Sequence, residues 1–297
     1  MSSVGARTIL LLNRFFETQN HYFDAMVRSK GEAFEYSIRS GEVVYRQFDG
    51  FNDFTGKIVL DYGCGAGGKT VAYARMGPKR VIGVDLTHDF AAAADYARRH
   101  HLPVSFLPIG EDGRMALADH SVDVVISSSV LEHVMDLPAT LDEMHRVLKP
   151  GGRCLNRWHP FHTRHGAHLG AAIGLPYVHR LFSEATVVHA YYRSLDSKFG
   201  ATPSLVRPLK GCEPDLGKLD LPLNRLTIRA MRETVTAAGF EIVERRFLRG
   251  TRRMKLPRWL PEAAIELVCD YEVQICRAMP RREMNLAPRK LRTAICR

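Results

Sequence analysis

The stretch Asp61–Gly68, which reads DYGCGAGG, decides the fold of this 297-residue chain. It follows a short apolar run, Ile58–Leu60, and precedes a segment with helical patterning, Lys69–Met76. A glycine-rich turn between a buried strand and a helix typically opens a βαβ unit and binds a ligand at the carboxyl end of the strand. We therefore predict the first strand of a sheet, a ligand-binding turn and a sheet-packing helix at these positions.

Strands and helices alternate after this turn. At this spacing the alternation predicts a doubly wound, Rossmann-like α/β sheet with parallel strands and helices on both faces. Right-handed crossovers then bring the ligand-binding residues to the carboxyl ends of the strands. The predicted strands are Arg80–Val84, Val104–Leu107, Val122–Ser127 and Arg153–Arg157, and the predicted helices are Phe90–His101 and Leu137–Leu148.

The alternation stops after Trp158, where histidine, glycine and proline become frequent, and it resumes near Leu226. We divide the chain into an N-terminal helical cap (1–52), a ligand-binding core (53–158), an insertion that forms a substrate lid (159–225) and the end of the core with a basic C-terminal segment (226–297). Beyond the core, the pattern predicts helices at His168–Phe182, Leu226–Ala238 and 261–278, and strands at Phe240–Phe247 and Leu291–Cys296.

The glycine-rich turn fits two kinds of ligand. Gly63, Gly65 and Gly68 form the G-x-G-x-x-G pattern of dinucleotide-binding turns. However, a carboxylate at Asp61 would repel a pyrophosphate placed over the turn. The same carboxylate would attract a ligand that carries an α-amino group and no phosphate. S-adenosylmethionine, with its ammonium and sulfonium groups, is such a ligand.

Acidic residues also follow the next two strands. Asp85 comes about 20 residues after the turn, where a carboxylate accepts hydrogen bonds from ribose hydroxyls. Leu86 can pack on the adenine face. Glu111 and Asp112 follow the third strand, where one of them can meet the adenine amino group, and the sequence leaves open which one.

Residues 57–153 resemble the core of class I S-adenosylmethionine-dependent methyltransferases. The resemblance implies S-adenosylmethionine as the cofactor and a seven-stranded sheet whose last strand is antiparallel. The stretches that carry the resemblance are Val59–Gly67, Val81–Thr87, Ser121–Ser127, Val130–Val134 and Val147–Gly152. The residues that the resemblance implies at the cofactor are Asp61, Gly63 and Gly65 for the methionine part, Asp85 for the ribose, Glu111 or Asp112 for the adenine, and Ser127 and Ser128 at the start of the wall Ser127–His133 between cofactor and substrate.

Histidines at intervals of three follow the fifth predicted strand, beside the expected cofactor. They are His159, His162, His165 and His168. A hydroxyl acceptor must lose a proton during methyl transfer, and histidine is a common general base. We predict His162, His165, His159 and His133 as candidate catalytic residues, and His168, Tyr191 and Tyr192 as substrate contacts. The histidine spacing matches no familiar zinc pattern, so no metal is expected.

The net charge of +10 invites a search for an acidic partner. Residues 245–297 carry +9 of this charge, and residues 1–244 carry +1. A basic end on a nearly neutral core favours docking to an anionic membrane surface or a lipid-linked acceptor over nucleic acid in the active site. With no signal sequence, no membrane-spanning run and six scattered cysteines, we expect a cytoplasmic protein with reduced thiols.

Four functions are then compared. The first is O-methylation of a small molecule, such as a sugar, a lipid-linked compound or a secondary metabolite. The second is RNA methylation, which the charge suggests but no recognisable RNA-binding module supports. The third is a catalytically silent cofactor-binding partner subunit, and the last is a nicotinamide dehydrogenase. The wall sequence Ser127–Val134 is of the small-molecule type and favours the first.

Overall fold

The computed structural model describes residues 4–16, 29–86, 89–199 and 223–280. Its eight strands form one sheet in the order β3-β2-β1-β4-β5-β8-β6-β7. The strands are β1 (Ile58–Tyr62), β2 (Arg80–Asp85), β3 (Val104–Pro108), β4 (Val122–Ser128), β5 (Leu148–Trp158), β6 (Phe240–Arg249), β7 (Arg252–Arg253) and β8 (Tyr271–Ala278). The helices are α1 (Val4–Asn13), α2 (Lys30–Gln47), α3 (Gly68–Ala74), α4 (Ala91–Arg99), α5 (Leu137–Val147), α6 (Val178–Leu181), α7 (Glu184–Phe199), α8 (Ile228–Ala237) and α9 (Glu262–Glu266).

The doubly wound sheet is confirmed, and so is the antiparallel last strand. Strands β1 to β5 pair in parallel, and β8 lies antiparallel between β5 and β6. The expected count of seven strands becomes eight because β7, two residues after a turn at Gly250, extends β6 as a short hairpin. The strand order reverses between β1 and β4, so the ligand-binding crevice lies at the carboxyl ends of these two strands.

Two apolar clusters cover the two faces of the sheet. One contains Leu60, Val125 and Cys154 from the strands and residues of α5 and α8. The other contains Val59, Val124 and residues of α2 and α3. The strands are therefore buried on both sides, which explains why β1 and β4 read as continuous apolar runs.

The prediction of a helix over 261–278 is wrong. Pro261 starts a helix of only five residues, and Tyr271–Ala278 is strand β8. Glu272 and Gln274 interrupt the apolar pattern of this segment, yet both are fully buried in the sheet. Polar residues in a central strand cannot be distinguished from solvent-facing ones by sequence period alone.

Two further expected elements have different outcomes. The segment His168–Phe182 is mostly loop, with a 3₁₀ turn at Leu169–Ala171 and the short α6, because the backbone enters the left-handed region at His168 and Tyr177. The strand expected at Leu291–Cys296 lies outside the described residues.

The inserted segment forms a small apolar core together with α1. Ala6 and Ile9 of α1 pack in this core. The Asn13 side chain fastens the two parts, since it donates to Ala172 O at 2.9 Å and accepts from Gly174 N at 2.8 Å. We call this unit the lid core. It also includes Ala167, Leu169, Ala172, Ile173, Leu175, Val178, Val187, Ala190, Tyr191 and Leu195.

Part of the basic C-terminal charge is neutralised inside the fold. Arg246 is 5% exposed and forms ion pairs with Asp49 and Glu244. Arg245 bonds Glu262 and Glu272, each at 2.6 Å. These two arginines therefore belong to the sheet and not to a docking surface. Among the described residues, no helix combines the length and apolar character needed to cross a bilayer.

Removing the charge of Glu272 is expected to destabilise the fold by about 2–3 kcal/mol, less than the roughly 3–5 kcal/mol of a fully broken buried pair, because Arg245 keeps its second partner Glu262. Glu272 is fully buried, and its carboxylate accepts from Arg245 Nε at 2.6 Å and from Trp158 Nε1 at 3.1 Å. Urea unfolding of Glu272→Gln should show the loss as a lower midpoint with an unchanged slope.

The matched control is Glu241→Gln, which breaks the exposed pair of Glu241 with Arg277 on the same two strands. Exposed pairs contribute at most about 1 kcal/mol. If the two variants lose the same small amount of stability, the buried pair does not stabilise the sheet.

Candidate functional site

The glycine-rich turn at the end of β1 takes the conformation that its glycines permit. Gly63, Gly65 and Gly67 have φ angles of 73°, 56° and 84°, in the left-handed region. A Cβ atom on Gly63 would lie 2.4 Å from both γ-carbons of Val130, whereas a Cβ atom on Gly65 would meet nothing within 4 Å. The turn is therefore closely packed on the protein side at Gly63 and open at Gly65, as a cradle for a ligand requires.

Asp61 lies buried at the base of this turn. Its Oδ2 atom accepts a hydrogen bond from Thr70 Oγ1 at 2.7 Å. Burial raises the pKa of the Asp61 carboxyl to about 6, although Thr70 and the charge of Lys69 oppose the rise. A buried carboxylate of this kind is stabilised by a cation, and the ammonium group of the methionine part of S-adenosylmethionine fits that need.

Asp85 connects β2 to the glycine-rich turn. Its Oδ2 atom accepts a hydrogen bond from Gly65 N at 2.7 Å, so the carboxylate lies beside the open side of the cradle. The next residue, Leu86, is 72% exposed. An apolar side chain exposed next to this carboxylate suits the face of an adenine ring, with the ribose against Asp85.

The two acids after β3 differ in their surroundings. Asp112 Oδ1 accepts from Arg114 N at 3.0 Å and closes a tight turn. Glu111 is exposed. The carboxylate of Asp112 is therefore used within its own turn. Glu111 is the better placed candidate to accept a hydrogen bond from an adenine amino group.

The carboxyl end of β4 carries buried hydroxyl groups. Ser127 and Ser128 are buried, and neither Oγ atom has a hydrogen-bond partner. Lys69 Nζ donates to Ser128 O at 2.9 Å, and burial lowers the pKa of this ammonium group. Asn156, the neighbour of Ser127 on β5, is also buried with an unpartnered Nδ2 atom. Unpartnered buried donors and acceptors at the crevice fit the polar atoms of a bound cofactor and acceptor.

Three histidines and one glutamate meet beyond these serines. The ring of His168 lies 4.9 Å from that of His133 and 4.8 Å from that of His159, centroid to centroid. Glu132 Oε1 lies 3.8 Å from His168 Nε2. We call Glu132, His133, His159 and His168 the polar cluster.

Burial sets the charge of the polar cluster. It raises the pKa of the Glu132 carboxyl to about 7. It lowers the pKa of His168 to about 3 and that of His159 well below its usual value. Both imidazoles are therefore neutral near pH 7, and each has a buried nitrogen without a hydrogen-bond partner, Nε2 of His168 and Nδ1 of His159.

The other predicted acceptor residues lie elsewhere in the insertion. The ring of His162 contacts Phe161, and the charges that act on His165 are those of Arg164 and Asp270. Tyr191 is 6% exposed inside the lid core. Tyr192 is partly buried against that core, so their roles as substrate contacts stay predictions.

Sequence reasoning missed several residues that shape the site. Lys69 directly follows the glycine-rich turn, and this position was the signal that could have predicted it as a site residue. Arg157 donates to Ser129 Oγ at 2.9 Å and lies 3.4 Å from the ring centroid of Tyr271. Asn224 comes from a distant segment and donates from Nδ2 to Leu131 O at 2.6 Å and to Val134 O at 3.1 Å. It thereby holds the turn that carries Glu132 and His133.

Comparison with known proteins identifies a methyltransferase domain in the core of this chain. Residues 60–156 match the sequence model of a family described as a methyltransferase domain. Over 98 residues the chain is 40% identical to the malonyl-[acyl-carrier protein] O-methyltransferase of Yersinia pestis, covering 33% of this chain and 35% of that protein. Over 147 residues it is 35% identical to the ubiquinone biosynthesis O-methyltransferase of Psychrobacter arcticus, covering 46% and 53%. The aligned regions thus span about a third to a half of these relatives.

A solved structure shows the same fold. The putative methyltransferase crystallised with the Trm112 activator of Haloferax volcanii superposes with a TM-score of 0.50 and 18% identity, covering 88% of this chain and 99% of that one. At this identity the likeness concerns the fold alone.

Proposed function

We propose that this chain, whose residues 60–156 form a class I S-adenosylmethionine-dependent methyltransferase domain, methylates a hydroxyl group of a small molecule. The observation that carries the proposal is the polar cluster beside the buried serines of β4. It provides unpartnered oxygen and nitrogen atoms next to the cofactor cradle, where an acceptor must lie for methyl transfer.

The cofactor, when bound, supplies a methyl group already activated on a sulfonium sulfur. The chain's own residues then have to orient it. Asp61 would hold the ammonium group, Asp85 the ribose hydroxyls and Glu111 the adenine amino group, with Leu86 on the adenine face. The open side of Gly65 leaves room for the ligand to approach the backbone.

The acceptor hydroxyl would lie between Ser127 and the polar cluster. A hydroxyl there can donate its hydrogen bond to Glu132 or to a neutral histidine of the cluster. As the oxygen–methyl bond forms and the sulfur–methyl bond breaks, the hydroxyl proton leaves to this group. The two relatives described above, among many that match, are named as O-methyltransferases, which supports oxygen as the acceptor atom.

We also propose that this chain contacts an anionic membrane surface. Arg245 and Arg246 no longer support it, because they are paired inside the sheet. Its remaining support is a set of exposed side chains around β7, namely Arg249, Arg252, Lys255, Arg258 and the 79% exposed Trp259, whereas Arg253 is exposed but pairs with Glu244. Cations around an exposed tryptophan are suited to a lipid headgroup region or a lipid-linked acceptor.

The test combines calorimetry with radiolabel transfer. S-adenosylhomocysteine should bind with one equivalent per chain, and methyl-labelled S-adenosylmethionine should label the small-molecule fraction of a metabolite extract. Label in an RNA fraction would contradict the proposal in favour of RNA methylation. Binding of S-adenosylhomocysteine with no label in any fraction would instead favour a catalytically silent subunit.

The affinity for S-adenosylhomocysteine should depend on pH through Asp61. The ammonium group of the ligand pairs with the carboxylate form, and the carboxyl takes up a proton as the pH falls through its pKa of about 6. Below that value the affinity should fall by up to about tenfold per pH unit, and above it the affinity should level off. Calorimetry between pH 5 and pH 7.5 would measure this change.

Asp61→Asn is the matched control for the pH dependence. It should bind S-adenosylhomocysteine more weakly, with an affinity that no longer changes between pH 5 and pH 7. A wild-type affinity that is flat across the same range would show that Asp61 does not meet the ammonium group.

A further inference from the structure

The polar cluster contains three side chains whose ligating atoms converge on one point. Glu132 and His133 lie in the turn after β4, and His168 lies in the insertion, 35 residues later. One oxygen of Glu132 and one nitrogen of each histidine all lie within 4.8 Å of one another. These atoms come from distant segments and meet only in the folded chain. The spacing of the residues in the sequence does not predict the cluster.

Two of these side chains lack the hydrogen bonds that their burial demands. Glu132 is 2% exposed, and neither of its carboxylate oxygens has a partner at hydrogen-bond distance and angle, although the backbone N–H groups of Glu132 and His159 still act on the carboxyl and lower its pKa. His168 Nε2 is likewise buried without a partner. Burial of an unpaired carboxylate costs several kcal/mol. The acceptor nearest to a protonated Glu132 is His168 Nε2 at 3.8 Å, which is longer than a hydrogen bond, so neither form of Glu132 is satisfied in the present geometry.

The neighbouring cations do not fill this need. Lys69 Nζ donates to Ser128 O at 2.9 Å. The Arg157 guanidinium donates to Ser129 Oγ and lies over the Tyr271 ring. Neither side chain forms an ion pair with Glu132 among the described residues, although Arg157 Nε is itself buried without a partner and both charges act on Glu132 over a distance.

The backbone around the converging side chains is held in place. Asn224 binds both ends of the turn that carries Glu132 and His133, and its own N–H donates to Glu132 O at 2.9 Å. His168 sits in the left-handed region with φ of 56°, which a non-glycine residue adopts at some cost. The strained backbone turns the imidazole toward Glu132.

We propose that Glu132, His133 and His168 bind a divalent first-row transition metal ion. Two imidazole nitrogens and one carboxylate oxygen are a donor set that suits manganese, iron, cobalt or zinc. Ligands of one such ion at about 2.1 Å lie at most about 4.2 Å apart, so side-chain adjustments of about half an ångström complete the site.

Three protein ligands leave coordination positions for the acceptor. A hydroxyl oxygen bound there would be polarised by the ion and would lose its proton more readily. This use of the ion in methyl transfer rests on the proposed function, whereas binding of the ion itself does not. The sequence-based expectation that the chain holds no metal would then be replaced.

The experiment measures metal binding directly. After dialysis against a chelator, the chain is titrated with Mn²⁺, followed by electron paramagnetic resonance, and with Zn²⁺ in competition with a chromophoric chelator. We expect one equivalent bound at micromolar concentration. Glu132→Gln and His168→Asn should weaken binding by about 100-fold or more, since even partners outside the ligand shell contribute about 10–100-fold.

His189→Asn serves as the control, because this exposed histidine lies on α7 outside the cluster. It should bind Mn²⁺ and Zn²⁺ as the wild type does. Calorimetry with S-adenosylhomocysteine on the same samples shows that every variant is folded and tests the cofactor site separately.

The outcomes distinguish the metal site from the proposed function. If the wild type binds S-adenosylhomocysteine but neither ion at 100 times the expected concentration, the metal site is wrong and the proposed function stands. If the ions bind equally well to Glu132→Gln and His168→Asn, they occupy another site, and the assignment of these ligands is overturned.

Discussion

Asp85→Ala is expected to raise the dissociation constant for S-adenosylhomocysteine by about 10²–10⁴. Two charge-assisted hydrogen bonds from the ribose hydroxyls contribute roughly 1.5–3 kcal/mol each, and each 1.4 kcal/mol is tenfold in affinity. The variant also removes the acceptor of Gly65 N, whose 2.7 Å bond holds the glycine-rich turn. Cofactor contact and turn geometry are thus lost together, which makes this effect one of the two largest.

Calorimetry with S-adenosylhomocysteine measures this loss, with two companion variants. Asp85→Asn keeps an acceptor for Gly65 N but removes the charge, so its affinity should lie between those of wild type and Asp85→Ala. Asp95→Ala removes a half-exposed acid on α4 that forms salt bridges with Arg98 and Arg99, and it should bind like wild type. An unchanged affinity in Asp85→Ala would remove Asp85 from the cofactor site.

Gly63→Ala is expected to cost about 2–5 kcal/mol of stability. A left-handed backbone costs roughly 1–2 kcal/mol for alanine, and overpacking adds about 1–3 kcal/mol. Gly63 has φ of 73°, and a Cβ atom would lie 2.4 Å from both γ-carbons of Val130. Because Val130 begins the turn that carries Glu132, relief of the clash should also displace the polar cluster.

Gly113→Ala is the matched control. Gly113 has nearly the same φ, 77°, but a Cβ atom there would meet nothing within 4 Å. It should therefore lose only the conformational part, about 1–2 kcal/mol. Urea unfolding of both variants measures the difference between them. Equal losses would show that contact with Val130 does not restrict the residue at position 63.

The sequence predicted the first five strands and their helices well, because these segments depend on local patterns. Apolar runs of strand length end in glycine or an acid, and the helices between them have helical spacing. The glycine-rich turn was predicted for the same reason, since left-handed backbone at Gly63, Gly65 and Gly67 is a property of the residues themselves. Helix α8 and strand β6 were also predicted within a few residues.

Strand β8 was mistaken for a helix because burial of its polar residues depends on distant partners. Glu272 can be buried inside the sheet because Arg245 of β6 and Trp158 of β5 donate hydrogen bonds to it. These partners lie 27 and 114 residues away in the chain. The local sequence pattern around Glu272 does not reveal hydrogen bonds to such distant residues.

Contacts between distant residues also decide the acceptor side of the site. Equal spacing drew attention to His159, His162, His165 and His168 alike, and the fold places His159 and His168 beside His133. Glu132 was predicted only as part of the wall between cofactor and substrate. Its burial without a hydrogen-bond partner is visible only in the folded chain.

The sequence by itself thus determined the βαβ units, the glycine-rich turn and the carboxylates Asp61 and Asp85 at the ends of two strands. Backbone preference and hydrophobic period act over a few residues, so these features are readable from neighbours alone. Only the tertiary structure decided which histidines meet Glu132 and which arginines of the basic segment are neutralised inside the sheet. Those contacts join residues far apart in the chain, and packing of the whole domain is what brings them together.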